Sequence, residues 1–218
     1  GLDPNQPPRT ISQLDSASDA LTQRDADGRL TRAGFLHNLP GWWPYFWPVM
    51  FGGRLFDEST RRATITSAEC IAAYSWARDF ASRIGSAEAS RFASAYGRSF
   101  HSPQDPFLSE RLAMIVQGPW IASFLERHAP GLEYGCVPVP VADHLYDPSA
   151  PRGLLESDVL VIPRGCPHPQ EAFVFLRFMQ RQEVQEALAA AHGKSSPMRH
   201  VSPEFARNHV NRYVDVHD

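Results

Sequence analysis

The chain has 218 residues, 43% of them hydrophobic, with a formal net charge of −3 and a sequence pI near 6.3. It can bury a proper core, its charge exerts no general pull on nucleic acid or an anionic membrane, and no apolar stretch reaches the roughly 20 residues that span a bilayer. Cys70, Cys136 and Cys166 are too scattered for a disulfide framework or a zinc site.

Phosphate-cradling glycine loops, Gly-x-Ser-x-Gly and His-Glu-x-x-His are all missing from the sequence, so neither a cofactor nor a catalytic set is expected. Gly1-Leu2-Asp3-Pro4 carries no initiating Met and no signal-peptide pattern, so a processed or truncated chain is expected.

Taken in order, Ile11, Leu14, Ala17 and Leu21 follow a helical spacing behind a Thr10/Gln13 capping box, which predicts a helix from about Ile11 to Gln23. Asp25-Ala26-Asp27-Gly28 reads as a turn; a calcium loop would need later ligands and a closing Glu that are missing. Thr31 to Leu39 is expected to be a short strand ended by Pro40-Gly41.

The densest aromatic segment follows, with Trp42, Trp43, Tyr45, Phe46, Trp47 and Phe51. A helix buries one face, so some of these rings either line a cavity or plug the core. Flat rings suit the C–H faces of sugars, because they offer large contact area at fixed geometry. Arg54 to Ile65 is expected to hold a small hairpin or an extended arm. Thr66 and Glu69 form a second capping box before a helix through Ile71, Tyr74, Ala77, Ala81 and Ile84, stopped by Gly85, and Ala87 to Tyr96 is a shorter helix.

Leu112 to Val116 reads as a buried strand cut off by Gly118-Pro119, with a helix from Trp120 to Arg127 starting on Pro119. Trp120 then stands at a strand-to-helix junction, where α/β proteins place ligand contacts, or else in the core. Leu132 to Val139 is expected to be a strand that lies at an edge or ends early, and Val141 to Pro151 a long loop. Leu154 to Ile162 predicts a strand carrying Glu156 and Asp158 on one face. Such a pair can act as acid and base on a glycosidic bond, bond ligand hydroxyls, or simply meet solvent. Helices are expected from His168-Pro169 onward, from Glu183 to His192 with Gly193 as the stop, and around Glu204 to Tyr213.

The order of these signals is informative: Pro-Pro-Arg-Thr, Asp-Ala-Asp-Gly, a Trp-rich segment ending in Gly-Gly, Ala-Met-x-x-x-Gly-Pro-Trp, Tyr-Gly-x-x-Pro-x-Pro, and Ile-Pro-Arg-Gly-x-x-His-Pro-x-x-Ala-x-x-Phe-Leu. In this order they resemble the extracellular solute-binding proteins of bacterial ABC transporters, in the sugar-binding branch that includes maltose-binding protein, from Gly1 to about Arg199.

The resemblance implies an α/β, periplasmic-binding-protein-like fold of type II with two lobes, here truncated. Residues 1–151 would form the second lobe, 152–193 a returning segment of the first, and 194–218 a helical tail packing back on the second. It implies a non-catalytic receptor that clamps a sugar or oligosaccharide between lobes and delivers it to membrane permease subunits, in the periplasm or outside the cell. Trp120 matches a sugar-stacking position, and Trp42, Trp43, Tyr45 and Trp47 match the aromatic patch of the same cleft. Glu156 and Asp158 stand where many relatives have Gly-Gly-Trp beside the ligand. A sensor or interaction domain using the aromatic patch, or a carbohydrate-active enzyme using Glu156 or Asp158, are the other classes the residues permit.

Overall fold

A computed structural model describes residues 2–41, 44–95 and 102–209. It divides into two compact units: Gly1–Gln117 with Gly131–Leu154, and Gly118–Pro130 with Leu155–Asp218.

The first unit begins with α1, Ile11–Leu21. Thr10 Oγ1 accepts from Gln13 N (3.4 Å), while Gln13 Oε1 accepts from Arg9 N (2.8 Å) rather than from Thr10. Ile11, Leu14, Ala17 and Ser18 form its buried face. An antiparallel hairpin of β1 (Gln23–Arg24) and β2 (Leu30–Arg32) follows. Its turn is closed by Asp25, whose Oδ1 accepts from Asp27 N (3.0 Å) and Arg29 N (2.8 Å). The Asp-x-Asp-Gly stretch is thus an aspartate-stabilised turn. Of the strand expected over Thr31 to Leu39, only Thr31 and Arg32 fall in β2.

Helix α2 (Phe46–Met50) packs on α3 (Ala68–Ile84), with the β3 (Phe56–Asp57) and β4 (Arg62–Ala63) hairpin between them in sequence, one of the two forms expected of Arg54 to Ile65. Ser67, not Thr66, caps α3, its Oγ accepting from Cys70 N at 3.3 Å. Gly85 ends α3 with φ 90°, and α4 (Ser86–Ala95) follows. The core is aromatic. Phe35, Phe46, Trp47 and Phe80 are buried, and the ring centroids of Trp47 and Trp76 lie 4.6 Å apart. Aromatic contacts of this kind add about 0.5–1.5 kcal/mol per pair to the burial itself.

The expected strand Leu112 to Val116 is an extended segment with one isolated parallel bridge, Ala33 to Leu112, carried by bonds such as Ala113 N to Ala33 O (2.9 Å). Leu132 to Val139 and Leu154 to Ile162 form no regular strand either. Strand bonds are made with a neighbour, and local apolar pattern does not supply one. The loop at Val141 to Pro151 contains a 3₁₀ turn, Asp143–Leu145, and Asp143 bonds Ser12 at the start of α1.

The second unit contains α5 (Ile121–His128), α6 (Pro169–Met179), α7 (Gln182–His192) and α8 (Pro203–Asn208). Ser202 caps α8 and also donates to Glu186 of α7 through its N (2.6 Å) and Oγ (2.7 Å). Leu155 is 94% exposed, and Val159, Val161, Phe173, Val174 and Phe175 are exposed as well.

Candidate functional site

The corner before Trp120 fixes that residue. Ile121 N donates to Gly118 O and Ala122 N to Pro119 O, both at 3.2 Å, so Trp120 becomes the N-cap of α5 and Pro119 stays outside the helix it was expected to start. The indole folds back onto the corner. A Cβ added to Gly118 would lie 2.2, 2.3 and 2.5 Å from Cη2, Cζ3 and Cζ2 of the ring, so the backbone approach needs a glycine.

Lys194 reaches the same ring. Gly193 adopts the left-handed conformation (φ 63°, ψ 23°) at the end of α7. Gly193 N then donates to Ala190 O (3.2 Å) and Lys194 N to Ala189 O (2.9 Å), a Schellman ending that fixes the backbone from which Lys194 projects. Its Nζ lies 5.0 Å from the Trp120 ring centroid, within cation–π range, and 2.8 Å from Asp158 Oδ2.

The hydrogen bond from Lys194, then its charge, holds the Asp158 carboxyl below the ordinary aspartate range, with His192 adding to the effect. Side-chain exposure is 33% for Lys194 and 92% for Asp158, so solvent screens the pair and it contributes little to stability. Its interest is positional. Within the second unit, Trp120 and Asp158 meet around Lys194, and Glu156 is two residues from Asp158 on the same exposed segment.

In the first unit, Tyr45 is the half-buried N-cap of α2. Trp47 is 4% exposed, and its Nε1 donates to His37 O at 3.1 Å. Phe35, Phe46 and Trp76 surround the ring. Both the polar edge and the faces of Trp47 are engaged in packing within the first unit. Trp42 and Trp43 lie outside the described residues.

Sequence reasoning passed over two residues. Trp76 packs on Trp47 and donates through Nε1 to both oxygens of Asp15 (3.1 and 3.3 Å), which also pairs with Arg83 at 2.9 Å. Lys194 had a signal: it is the only lysine among 21 lysines and arginines and directly follows the helix-stopping Gly193. A basic residue near a helix end ordinarily reads as a partner of the last carbonyls, so the signal did not point to a ring 74 positions earlier.

An apolar ring, an ammonium and a carboxylate together can hold a ligand with an apolar face and a polar rim. Two small depressions, of about 180 and 190 Å³, both lie in the first unit and are lined by neither Tyr45 nor Trp47. They fall below the roughly 300–1,000 Å³ of a small-molecule pocket. Among the described residues no three His, Cys, Asp or Glu side chains gather as a metal centre.

A family model described as bacterial extracellular solute-binding protein matches residues 2–213. The chain belongs to the bacterial extracellular solute-binding proteins. Two solved structures share the fold of this solute-binding protein. The structure of CpMnBP1 with mannobiose bound has a TM-score of 0.77 at 23% identity and covers 96% of this chain and 50% of its own. The structure of CpMnBP1 with mannotriose bound has a TM-score of 0.76 at 24% identity, covering 91% and 50%. This solute-binding protein chain thus spans about half the length of the solved chains it matches. None of the curated proteins matches it significantly.

Proposed function

We propose that the chain is the ligand-gripping part of a sugar receptor that serves an ABC transporter in the periplasm or outside the cell. The observation that carries this reading is the cluster of Trp120, Lys194 and Asp158 in a chain of solute-binding fold. An indole offers flat apolar surface to sugar C–H groups, and charged groups beside the ring bond hydroxyls. The mannobiose and mannotriose held by the fold's solved neighbours support an oligosaccharide as the ligand. Tyr45, Glu156 and, from the sequence, Trp42 and Trp43 are the further contacts of this reading.

In this account residues 1–151 and 194–218 belong to one lobe and 152–193 to the other. The exposed Leu155, Val159, Val161, Phe173, Val174 and Phe175 support the assignment of the middle segment, because an apolar set of this size is the kind that further lobe elements cover. The role is binding without turnover. A carboxyl held low by a lysine stays an anion, whereas a general acid for glycoside cleavage needs a raised pKa. Delivery to permease subunits follows from the transporter role.

The test is isothermal titration of the chain, and of the whole protein, with mannobiose, mannotriose and a panel of other mono- and oligosaccharides. Saturable binding that weakens at least tenfold in Trp120→Ala is the expected result. A folded whole protein that binds no saccharide in the panel would overturn the reading.

A further inference from the structure

We propose that Lys194 is itself a ligand-binding and specificity residue, selecting neutral polyhydroxylated ligands through the pair it forms with Asp158 at the face of Trp120. The proposal rests on the sugar-receptor reading above and deepens it. Of the chain's 21 lysines and arginines, one is a lysine, and it is the residue whose Nζ sits 5.0 Å from the indole centroid and 2.8 Å from Asp158 Oδ2.

The donor count gives the chemistry. An ammonium has three N–H donors. Among the described residues Asp158 is the hydrogen-bond acceptor of Lys194, which leaves two donors at the ring. Asp158 accepts from Lys194 through Oδ2, and its exposed carboxylate keeps further lone pairs for hydroxyl donors. The pair is neutral in sum and offers donors and acceptors a few ångströms apart. Adjacent hydroxyls of a sugar ring, each both donor and acceptor, match that arrangement.

A uronate would have to displace Asp158 from the ammonium, and with Glu156 two residues away it would enter beside a second carboxylate. A cationic ligand would compete with Lys194 for Asp158. Neutral ligands bear neither cost. Lysine also suits the place better than arginine, because a compact ammonium with rotatable donors can turn toward hydroxyls while keeping its bond to Asp158, whereas a planar guanidinium fixes its donors in a fork.

The single lysine makes the test direct. An amine-specific acetylating reagent modifies this chain at Lys194 and the N-terminal amine, and peptide mass spectrometry reads the two separately. With mannobiose or mannotriose at saturation, acetylation of Lys194 is expected to slow while that of the N-terminus does not. Titration calorimetry of Lys194→Met should show affinity for the same saccharides reduced at least about tenfold, the scale of one lost charge-assisted hydrogen bond. Lys194→Arg should recover only part of the loss, and Asp158→Asn should narrow the preference for neutral over uronic-acid oligosaccharides.

Thermal melts of each variant separate folding from binding, since a purely structural lysine lowers the melting temperature without changing the affinity of the folded fraction. Wild-type binding with Lys194 unprotected and Lys194→Met unimpaired would overturn the assignment of Lys194 and leave the receptor reading intact. Tighter binding of galacturonate oligomers than of neutral ones would overturn the ligand class. No binding of any saccharide by the folded whole protein would overturn both readings.

Discussion

Gly118→Ala tests the geometry on which the site is built. The added Cβ would stand 2.2 Å from Cη2 of Trp120 and within 2.5 Å of two more ring carbons. Carbon atoms rest at about 3.5–4.0 Å, so the ring has to retreat by roughly 1.3–1.8 Å. Held in place by its surroundings, it would impose an overpacking cost of about 1–3 kcal/mol. Swinging out, it would forfeit its contact with Lys194, a cation–π interaction of about 0.5–1 kcal/mol at an open site.

Either route lowers the urea midpoint, and the second also uncovers Lys194, so that acetylation of that amine speeds up when the ring swings out. Gly131→Ala is the control, because its added Cβ meets nothing within 4 Å. It should stay within about 0.5 kcal/mol of the wild type. If Gly118→Ala matched that control both in urea midpoint and in the acetylation rate of Lys194, the folded-back indole and the contact built on it would be refuted.

Three further outcomes are expected. Gly34→Ala sets a Cβ 2.1 Å from Ser18 O and 2.7 Å from two more Ser18 backbone atoms, and α1 backbone cannot yield as a side chain does. Chemical denaturation should show a loss of about 3 kcal/mol or more, at the upper end of overpacking costs. Asp15→Ala removes the acceptor of Trp76 Nε1 and the partner of Arg83, and should cost about 1–3 kcal/mol by the same assay.

Burial pushes the His37 imidazole below its ordinary value of 6.5, so the folded state prefers the neutral ring. Its stabilisation is complete above pH 6.5 and is lost as pH falls through the lower folded value. Urea midpoints measured from pH 7.5 downward should decline below pH 6.5, and His37→Gln should flatten that decline. Glu88, held down to about 2 chiefly by its hydrogen bond from Arg91, acts in a separate window, below its ordinary 4.5.

The sequence by itself determined what depends on neighbours a few positions away. The Thr10 cap on Gln13 N, the aspartate turn at Asp25, the hairpin between Arg54 and Ile65 and the stops at Gly85 and Gly193 are local bonds or backbone angles, and they form near where they were read, with Gln13 Oε1 turned to Arg9 N and Ser67 replacing Thr66 by one position. The ordered set of these local signals also sufficed to indicate the family, because each motif fixes a corner of one fold.

Tertiary structure decided whatever needs a distant partner. Leu112 to Val116 and Leu154 to Ile162 have strand-like apolar patterns, yet a strand exists only where another backbone answers its N–H and C=O groups, and pattern does not name that partner. Trp47 and Trp120 look alike as letters. Packing against Phe35 and Trp76 consigned the first to the core, while the corner at Gly118 and the end of α7 brought the second to Lys194 and Asp158. Such a meeting of residues 120, 158 and 194 is set by how helices and extended segments pack across the unit, a sum of many weak contacts that no short window of sequence contains.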